Sequence, residues 1–441
     1  HYFFEILSGE QKLYFDKLGV ADHPQEAYSF CLIPDFHTPH WAKGAVMYQI
    51  YTDRFCNGNP SNDVKDREYR YLNRDVHRVT DWNQLPEVCD VQNFYGGDLQ
   101  GVWQKLDYLQ ELGVEVLYLN PVFVSPSNHK YDTQDYDYID PHLTLITEDG
   151  GTPLPDGAED NRQAKMYRKR VVSLENLEAS NAWFAGFLQE IHRRGMKVIL
   201  DGVFNHCGSF HKWLDRERLY EEAEGFKKGA YVSADSPYRN YFRFQDEQGW
   251  PCNGSYEGWW GYETLPKLNY EASEELKNYV LVLAQKWLKA PYFVDGWRLD
   301  VAADLGHSEE YNHQFWRAFR KAVKEADPEA LILAEHYGDC SAWLQGDQWD
   351  SVMNYDAFME PITWFLTGME TAMNELSNHD HSRFLTRTNR KVGRIHTLGA
   401  AEASEGIRKG VMKEAVVFQM TWVGCPTVYY GDEAGLCGFT D

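Results

Sequence analysis

The stretch YFVDGWRLDVAADLGH, residues 292–307, begins as an apolar and aromatic run and ends in charge, with Arg298 two residues before Asp300 and His307 seven after it. Short runs of this composition read as buried parallel strands. Side chains two apart in a strand share a face, so Arg298 and Asp300 lie side by side. Burying such a pair is costly unless it bridges charges inside a barrel or serves a polar pocket at the strand's end.

Seven further runs have the same character: 45–55, 114–123, 197–205, 330–336, 351–358, 373–380 and 425–433. Helical patterns lie between many of them. In LQGVWQKLDYLQELG, residues 99–113, the stripe of Leu99, Val102, Trp103, Leu106, Leu109 and Leu112 closes at Gly113. Residues 181–197 and 273–289 repeat the theme. Eight strands with polar residues gathered where each one ends predict a (β/α)8 TIM barrel rather than a doubly wound sheet. The strand ends would then gather Asp201, Asn205, Arg298, Asp300, Glu335, His379 and Asp380 around one pocket.

Residues 39–441 are assigned to this barrel. Residues 206–271, rich in Tyr, Trp and Gly, are too long for a simple loop and read as an inserted subdomain roofing the pocket after strand 3. At the other end, residues 1–19 carry two aromatic stretches around Ser8-Gly9-Glu10, the pattern of a β-hairpin. Residues 1–38 therefore read as the tail of an N-terminal β-sandwich with a proline-bearing linker.

The net charge of −24 argues against nucleic acid or an anionic membrane as partner. No apolar run is long enough to span a bilayer. The eight Cys have no CxxC spacing, which favours reduced thiols over zinc or a disulfide framework. With 28 Tyr and 15 Trp, many rings are available to stack on the flat apolar faces of sugars.

Asp300, Glu335 and Asp380 stand at three different strand ends. Two carboxylates of unlike pKa, one an ionised nucleophile and one a protonated acid, are what glycoside hydrolysis requires. Arg298 is expected to lower the Asp300 pKa and keep it ionised. In NGNPSND, residues 57–63, oxygen-bearing side chains are dense enough for a hard cation or for an Asx-turn loop.

DGVFNH (201–206), GWRLDVA (296–302), LILAEH (331–336) and SNHD (377–380) resemble, in order, the four signatures of the α-amylase superfamily. LPKLN (265–269), GGDLQG (96–101) and GCPTVYYGDEAG (424–435) extend the resemblance to its neopullulanase, cyclomaltodextrinase and maltogenic amylase branch and to related amylopullulanases. The resemblance implies a retaining glycosidase acting on α-1,4, and also α-1,6, bonds of maltodextrins, pullulan or cyclodextrins. Asp300 would be the nucleophile, Glu335 the general acid/base and Asp380 the carboxylate that grips sugar hydroxyls. His206, Arg298 and His379 would line the same subsite, Tyr131 in NHKYDTQDY (128–136) would stack under the reacting glucose beside His129, and Trp259, Trp260 and Tyr262 would be platforms for further glucose units or core packing. It also implies structural calcium (Ca2+) on Asn57, Asn59, Asn62, Asp63, Gly96 and Asp98, a homodimer through residues 1–32, and a cytoplasmic location.

The chain departs from that pattern in three places. Ala303 and Asp304 follow the nucleophile where the branch has Asn-Glu, which bears on the acceptor side. Only 45 residues separate Glu335 from Asp380, so the seventh strand is expected to be short or residues near Met369–Ala372 to be missing. The closing helix and a C-terminal β-domain are expected beyond residue 441. A transglycosylase using the same intermediate, and a non-catalytic glycan-binding or partner protein, are the rival readings.

Overall fold

The computed structural model describes residues 1–367, 376–389, 400–421 and 426–439, apart from residues 10, 35 and 89. Its centre is a sheet of seven parallel strands: β1 (Met47–Ile50), β2 (Val116–Leu119), β3 (Lys197–Gly202), β4 (Gly296–Leu299), β5 (Leu331–Ala334), β6 (Ser351–Val352) and β7 (Thr427–Tyr429). They pair in the order β6-β5-β4-β3-β2-β1-β7, forming the wall of a (β/α)8 barrel. The expected strand 373–380 differs: residues 373–375 lie outside the described residues, and 376–380 form a turn with one bridge, Asn378 to His381. Met369–Ala372 also fall outside. Within 351–358 only Ser351–Val352 form a strand, with one isolated bridge at Ala357, before a helix at Met359–Thr367.

Almost every residue of β1 to β4 is buried, as parallel strands covered on both faces require. One face of the pleat sends Tyr48, Leu117, Leu119, Val198, Leu200, Trp297 and Ile332 outward against the surrounding helices. The other sends Met47, Val116, Tyr118, Ile199 and Leu331 into the interior. Further along that inner face, at the period of two, come Gln49, Asp201, Arg298, Asp300 and Glu335. The register sets Asp201 beside Arg298 and Arg298 beside Leu333. The inner face thus turns from apolar to polar toward the C-terminal strand ends.

Helices α1 (Leu99–Gln104) and α2 (Leu106–Glu111) follow the expected stripe, with Leu99, Val102, Leu106 and Leu109 fully buried; Leu112 is exposed, and the chain leaves at Gly113 with φ +89°. The longer helices α3 (Leu174–Arg193), α4 (Glu274–Leu288) and α5 (Glu309–Ala326) complete the outer layer. Ser273 and Ser308 cap α4 and α5 by accepting the N–H of Leu276 and Tyr311.

Residues 206–271 hold only 3-10 turns and isolated bridges, and their Trp213, Leu214, Tyr241, Phe242, Leu268 and Tyr270 join the barrel's own core. The insertion is therefore an extension of the barrel rather than a body with its own core. Nor is it the whole roof. A separate apolar cluster unites Tyr69, Tyr71 and Phe94 after β1, Val124, Leu154 and Tyr167 after β2, and Phe210, Leu219 and Tyr220 after β3. These aromatics recur without a helical or strand period, so pattern reading passed over the first two loops. At the N-terminus, Phe4–Ser8 pairs antiparallel with Gln11–Asp16, which pairs with Gly19–Ala21.

The roof is tied to α1 by a close approach. A Cβ on Gly101 would collide with the Cys56 carbonyl, and one on Gly58 with the Gly101 amide. Alanine is the better helix former by about 1 kcal/mol, but there is no room for it. Gly101→Ala should therefore destabilise the chain by about 2 kcal/mol; an unchanged denaturant midpoint would refute the close approach.

Candidate active site

Two of the three acids are placed by strand ends, and Asp380 by the turn at 376–380. Asp300 follows β4 directly and donates its N–H to the Gly202 carbonyl at 3.1 Å; Glu335 follows β5 and donates to Leu299 at 2.9 Å. Between them lies Arg298, fully buried. Its Nη1 donates to Asp300 Oδ1 at 2.8 Å and to Asp201 Oδ1 at 2.9 Å, and its Nη2 lies 3.0 Å from Glu335 Oε2. One guanidinium therefore holds three carboxylates. The other oxygen of Asp201 accepts the hydroxyls of Tyr118 and Tyr131 at 2.7 and 2.9 Å.

After Asp300 the chain turns sharply. Val301 adopts φ 37° and ψ 46°, a left-handed conformation that a β-branched residue takes only under constraint. The turn aims the Val301 N–H at Glu335 Oε2, 2.8 Å away. Asp300 and Glu335 are thus fixed relative to each other by both a side chain and the backbone.

The acids open into a cavity of about 240 Å3 whose walls include Tyr131, His206, Trp259, His379 and Asp380. The Tyr131 ring stacks on His379 with centroids 4.8 Å apart and on His129 at 5.9 Å. His206 donates from Nε2 to the Tyr131 carbonyl at 3.1 Å and accepts the Asn205 amide at Nδ1. Burial pushes the His206 pKa down to about 3. Burial, then the Arg298 charge, pushes His379 down to about 4, so both rings are neutral donors and acceptors near pH 7. Asp380 is the most exposed of the three acids, its side chain 42% accessible, with His379 Nε2 3.2 Å from Oδ2.

Asp300 corrects one sequence expectation. Arg298 does favour its ionised form, but burial, then the negative charge of Glu335, outweigh it and raise the Asp300 pKa well above the carboxylate range. Glu335 is raised too, first by burial, with Arg298 opposing and Asp380 adding. Two carboxyls in one dry site resist being ionised together, so one proton is shared out between them.

The eight residues predicted for catalysis and the reacting subsite gather here, and Trp260 does not. Trp260 is 76% exposed and lies outside the cavity; its φ of 50° turns the ring outward. Trp259 takes the inner position, stacked on His206 at 5.1 Å, with its indole N–H donated to Asp304 at 2.9 Å. Trp260, Asp304 and His307 line a neighbouring groove of about 530 Å3. Sequence reading also missed the parts played by Asp201, Val301, Gln49 and Asn120. The signal was there for Gln49, a polar residue inside the buried MYQI, whose amide donates to Asn120 at 2.8 Å and lies 3.5 Å from His379.

The six residues assigned to calcium converge on the loop before α1. Asn57 Oδ1 and Asn62 Oδ1 are buried without a donor, and a Cβ on Gly96 would fill the space between Asn57 and Asp63. Asp63 Oδ2 faces Arg78 at 2.5 Å. Asp98 is committed elsewhere, accepting the N–H groups of Gly58, Asn59 and Gly101 and so capping α1. Asn59 turns its oxygen to Ser61 in an Asx turn. Two orphaned amide oxygens beside the Asp63 carboxylate, which also accepts the Asn57 amide at 2.7 Å, are what the loop offers a hard cation; Asp98 and Asn59 shape the loop.

A family model described as the α-amylase catalytic domain matches residues 49–145, 180–367 and 357–440. Neopullulanase 2 of Thermoactinomyces vulgaris is 35% identical over 472 residues, covering 99% of this chain and 65% of that protein. A cyclomaltodextrinase of Thermoanaerobacter pseudethanolicus is 33% identical over 485 residues, covering 100% of this chain and 67% of that protein. Among solved structures, the type III pullulan hydrolase from Thermococcus kodakarensis superposes with a TM-score of 0.70 at 27% identity, over 97% of this chain and 70% of its own. The chain thus spans about two thirds of the length of these curated relatives.

The raised pKa of Glu335 has a consequence for stability. A folded pKa above the unfolded one means that ionisation disfavours the fold, so the cost is present at neutral pH and vanishes once the group is protonated in both states. Glu335→Gln removes it and leaves Arg298 with Asp201 and Asp300. The variant should melt about 2 °C higher than the parent at pH 7, with the gain fading as pH falls to about 4; an equal gain at both pH values would contradict the charge explanation.

Proposed function

Since the chain belongs to the α-amylase family, we propose that it is a retaining glycosidase cleaving α-1,4, and also α-1,6, glucosidic bonds in maltodextrins, pullulan or cyclodextrins. The observation that carries this reading is the pair Asp300 and Glu335 held by one guanidinium at the floor of the cavity, since a nucleophile and acid in retaining enzymes stand only about 5 Å apart. Asp300 attacks the anomeric carbon while Glu335 gives its proton to the leaving oxygen. Glu335 then takes a proton from water, the hydroxide adds to the same carbon, and the bond to Asp300 breaks. Two inversions leave an α-product. Asp380, His206 and His379 hold sugar hydroxyls, and Tyr131 lies under the ring with His129 behind it.

Transfer to a sugar acceptor is the second reading, favoured by the groove of about 530 Å3 beside Asp304, which adjoins the cavity through Trp259. Calcium bound by Asn57, Asn62 and Asp63 with Gly96 would stiffen the roof and take no part in the chemistry. The six cysteines among the described residues are free thiols, which supports a reducing cytoplasm. No helix among the described residues is long and apolar enough to cross a membrane. The exposed Phe4, Ile6 and Val20 of the N-terminal sheet support a homodimer, which sedimentation would separate from a monomer.

Two outcomes are expected. Asp300→Ala should release maltose or panose from starch, cyclodextrin and pullulan at least about 10³-fold more slowly than the parent; undiminished release would remove Asp300 as nucleophile. After chelation, millimolar calcium should raise the melting point by about 2–4 °C, and Asp63→Ala should abolish the response. A flat melting curve in both proteins would mean that Arg78 alone satisfies Asp63.

A further inference from the structure

A second groove opens on the other side of the reaction cavity and contains an aromatic that the motifs do not touch. It encloses about 380 Å3 and shares Tyr51 and His379 with the cavity, so the two spaces adjoin at those side chains. Trp82 stands on its wall, 41% exposed. It meets Tyr95 at 6.0 Å with the ring planes 82° apart. In an edge-on pair each ring covers at most one face of the other, so at least one face of the indole is left open by Tyr95.

The ring is held in place. Tyr95 donates its hydroxyl to the Gln84 carbonyl at 2.8 Å, and Asp81 folds the loop by accepting the Asn83 N–H at its side chain and the Gln84 N–H at its carbonyl, both at 2.9 Å. Arg54 lies over the rings of Tyr51 and Tyr95 at 5.4 and 5.0 Å, and Arg383 over Tyr430 at 4.7 Å. Arg54 and Arg383 are themselves paired with Asp90 and Asp432, so they stiffen the groove they line with Trp82, and the exposed indole offers a flat face that matches the apolar C–H face of a pyranose. Trp260, stacked on Trp259 at 4.9 Å, lines the groove that meets the cavity at Trp259, whereas the groove of Trp82 meets it at Tyr51 and His379.

We propose that Trp82 is a stacking platform for a glucose unit beyond the reacting one, making the groove of Tyr51, Arg54, Trp82 and Arg383 a subsite that extends recognition of an α-glucan chain; this rests on the glycosidase reading above. The cavity takes the reacting unit, and the larger groove adjoining it at Tyr51 and His379 takes at least one more.

Isothermal titration of the full chain carrying Glu335→Gln, with and without Trp82→Ala, tests it with maltose and maltoheptaose as probes. The second substitution should weaken maltoheptaose about tenfold, the scale of one aromatic stack, and leave maltose within about twofold. Trp82→Phe should restore most of the loss, and melting points should match because the ring is half exposed. Equal losses for both sugars, no loss for either, or no binding of maltoheptaose by Glu335→Gln overturns the subsite. Hydrolysis of maltoheptaose by the parent is followed in parallel: its absence strikes the glycosidase reading, whereas the titration judges the groove.

Discussion

The interaction on which the rest depends is the buried guanidinium of Arg298 with Asp201, Asp300 and Glu335 around it. An unpaired charge at that depth would cost several kcal/mol, and a third acid on one cation leaves the group short of positive charge. Only a parallel sheet can assemble such a cluster from side chains so far apart in sequence. β3, β4 and β5 must lie in register so that residue 201 faces 298 and the chains leaving β4 and β5 end level with each other. The barrel is therefore the condition for the site, and the apolar lower layer of Met47, Val116, Ile199 and Leu331 supplies the stability that the polar upper layer costs.

Low dielectric is the second condition, and the roof provides it. Three loops share one aromatic cluster, close over the strand ends and fasten to α1 through Gly58, Gly101 and Asp98. By excluding water they neutralise His206 and His379 and raise the pKa values of Asp300 and Glu335. In open solvent the same residues would titrate as ordinary side chains with no reason to hold a proton between them.

The barrel and its acids were legible because they obey short-range rules. Strands announced themselves as apolar runs, and the motifs put Asp300 and Glu335 at their ends; Asp380 was read into the site by its motif, although it stands in a turn and not on the expected strand. What escaped was set by long-range geometry. That Trp259 rather than Trp260 faces inward depends on one left-handed φ. That Val301 is strained, and that Asp201 shares Arg298, depend on neighbours far away in the chain. The upward shift of Asp300 is of this kind too: the adjacent Arg298 was visible in the sequence, whereas the burial and the Glu335 charge that outweigh it were not.

Counting charge clarifies why so costly a cluster would persist. One guanidinium can balance only one of the three carboxyls around it, so with one proton shared between Asp300 and Glu335 the cluster keeps a negative surplus, before Asp380 is added. A glycosidic bond breaks through an oxocarbenium-like state in which positive charge develops on the sugar. A fixed negative surplus in a water-poor cavity stabilises that state without reorganising. It also explains why Asp300 and Glu335 share a proton, since ionising both would add another negative charge where the guanidinium is already outnumbered. The same imbalance that opposes folding thus keeps a proton on the pair and favours a cation between the carboxylates.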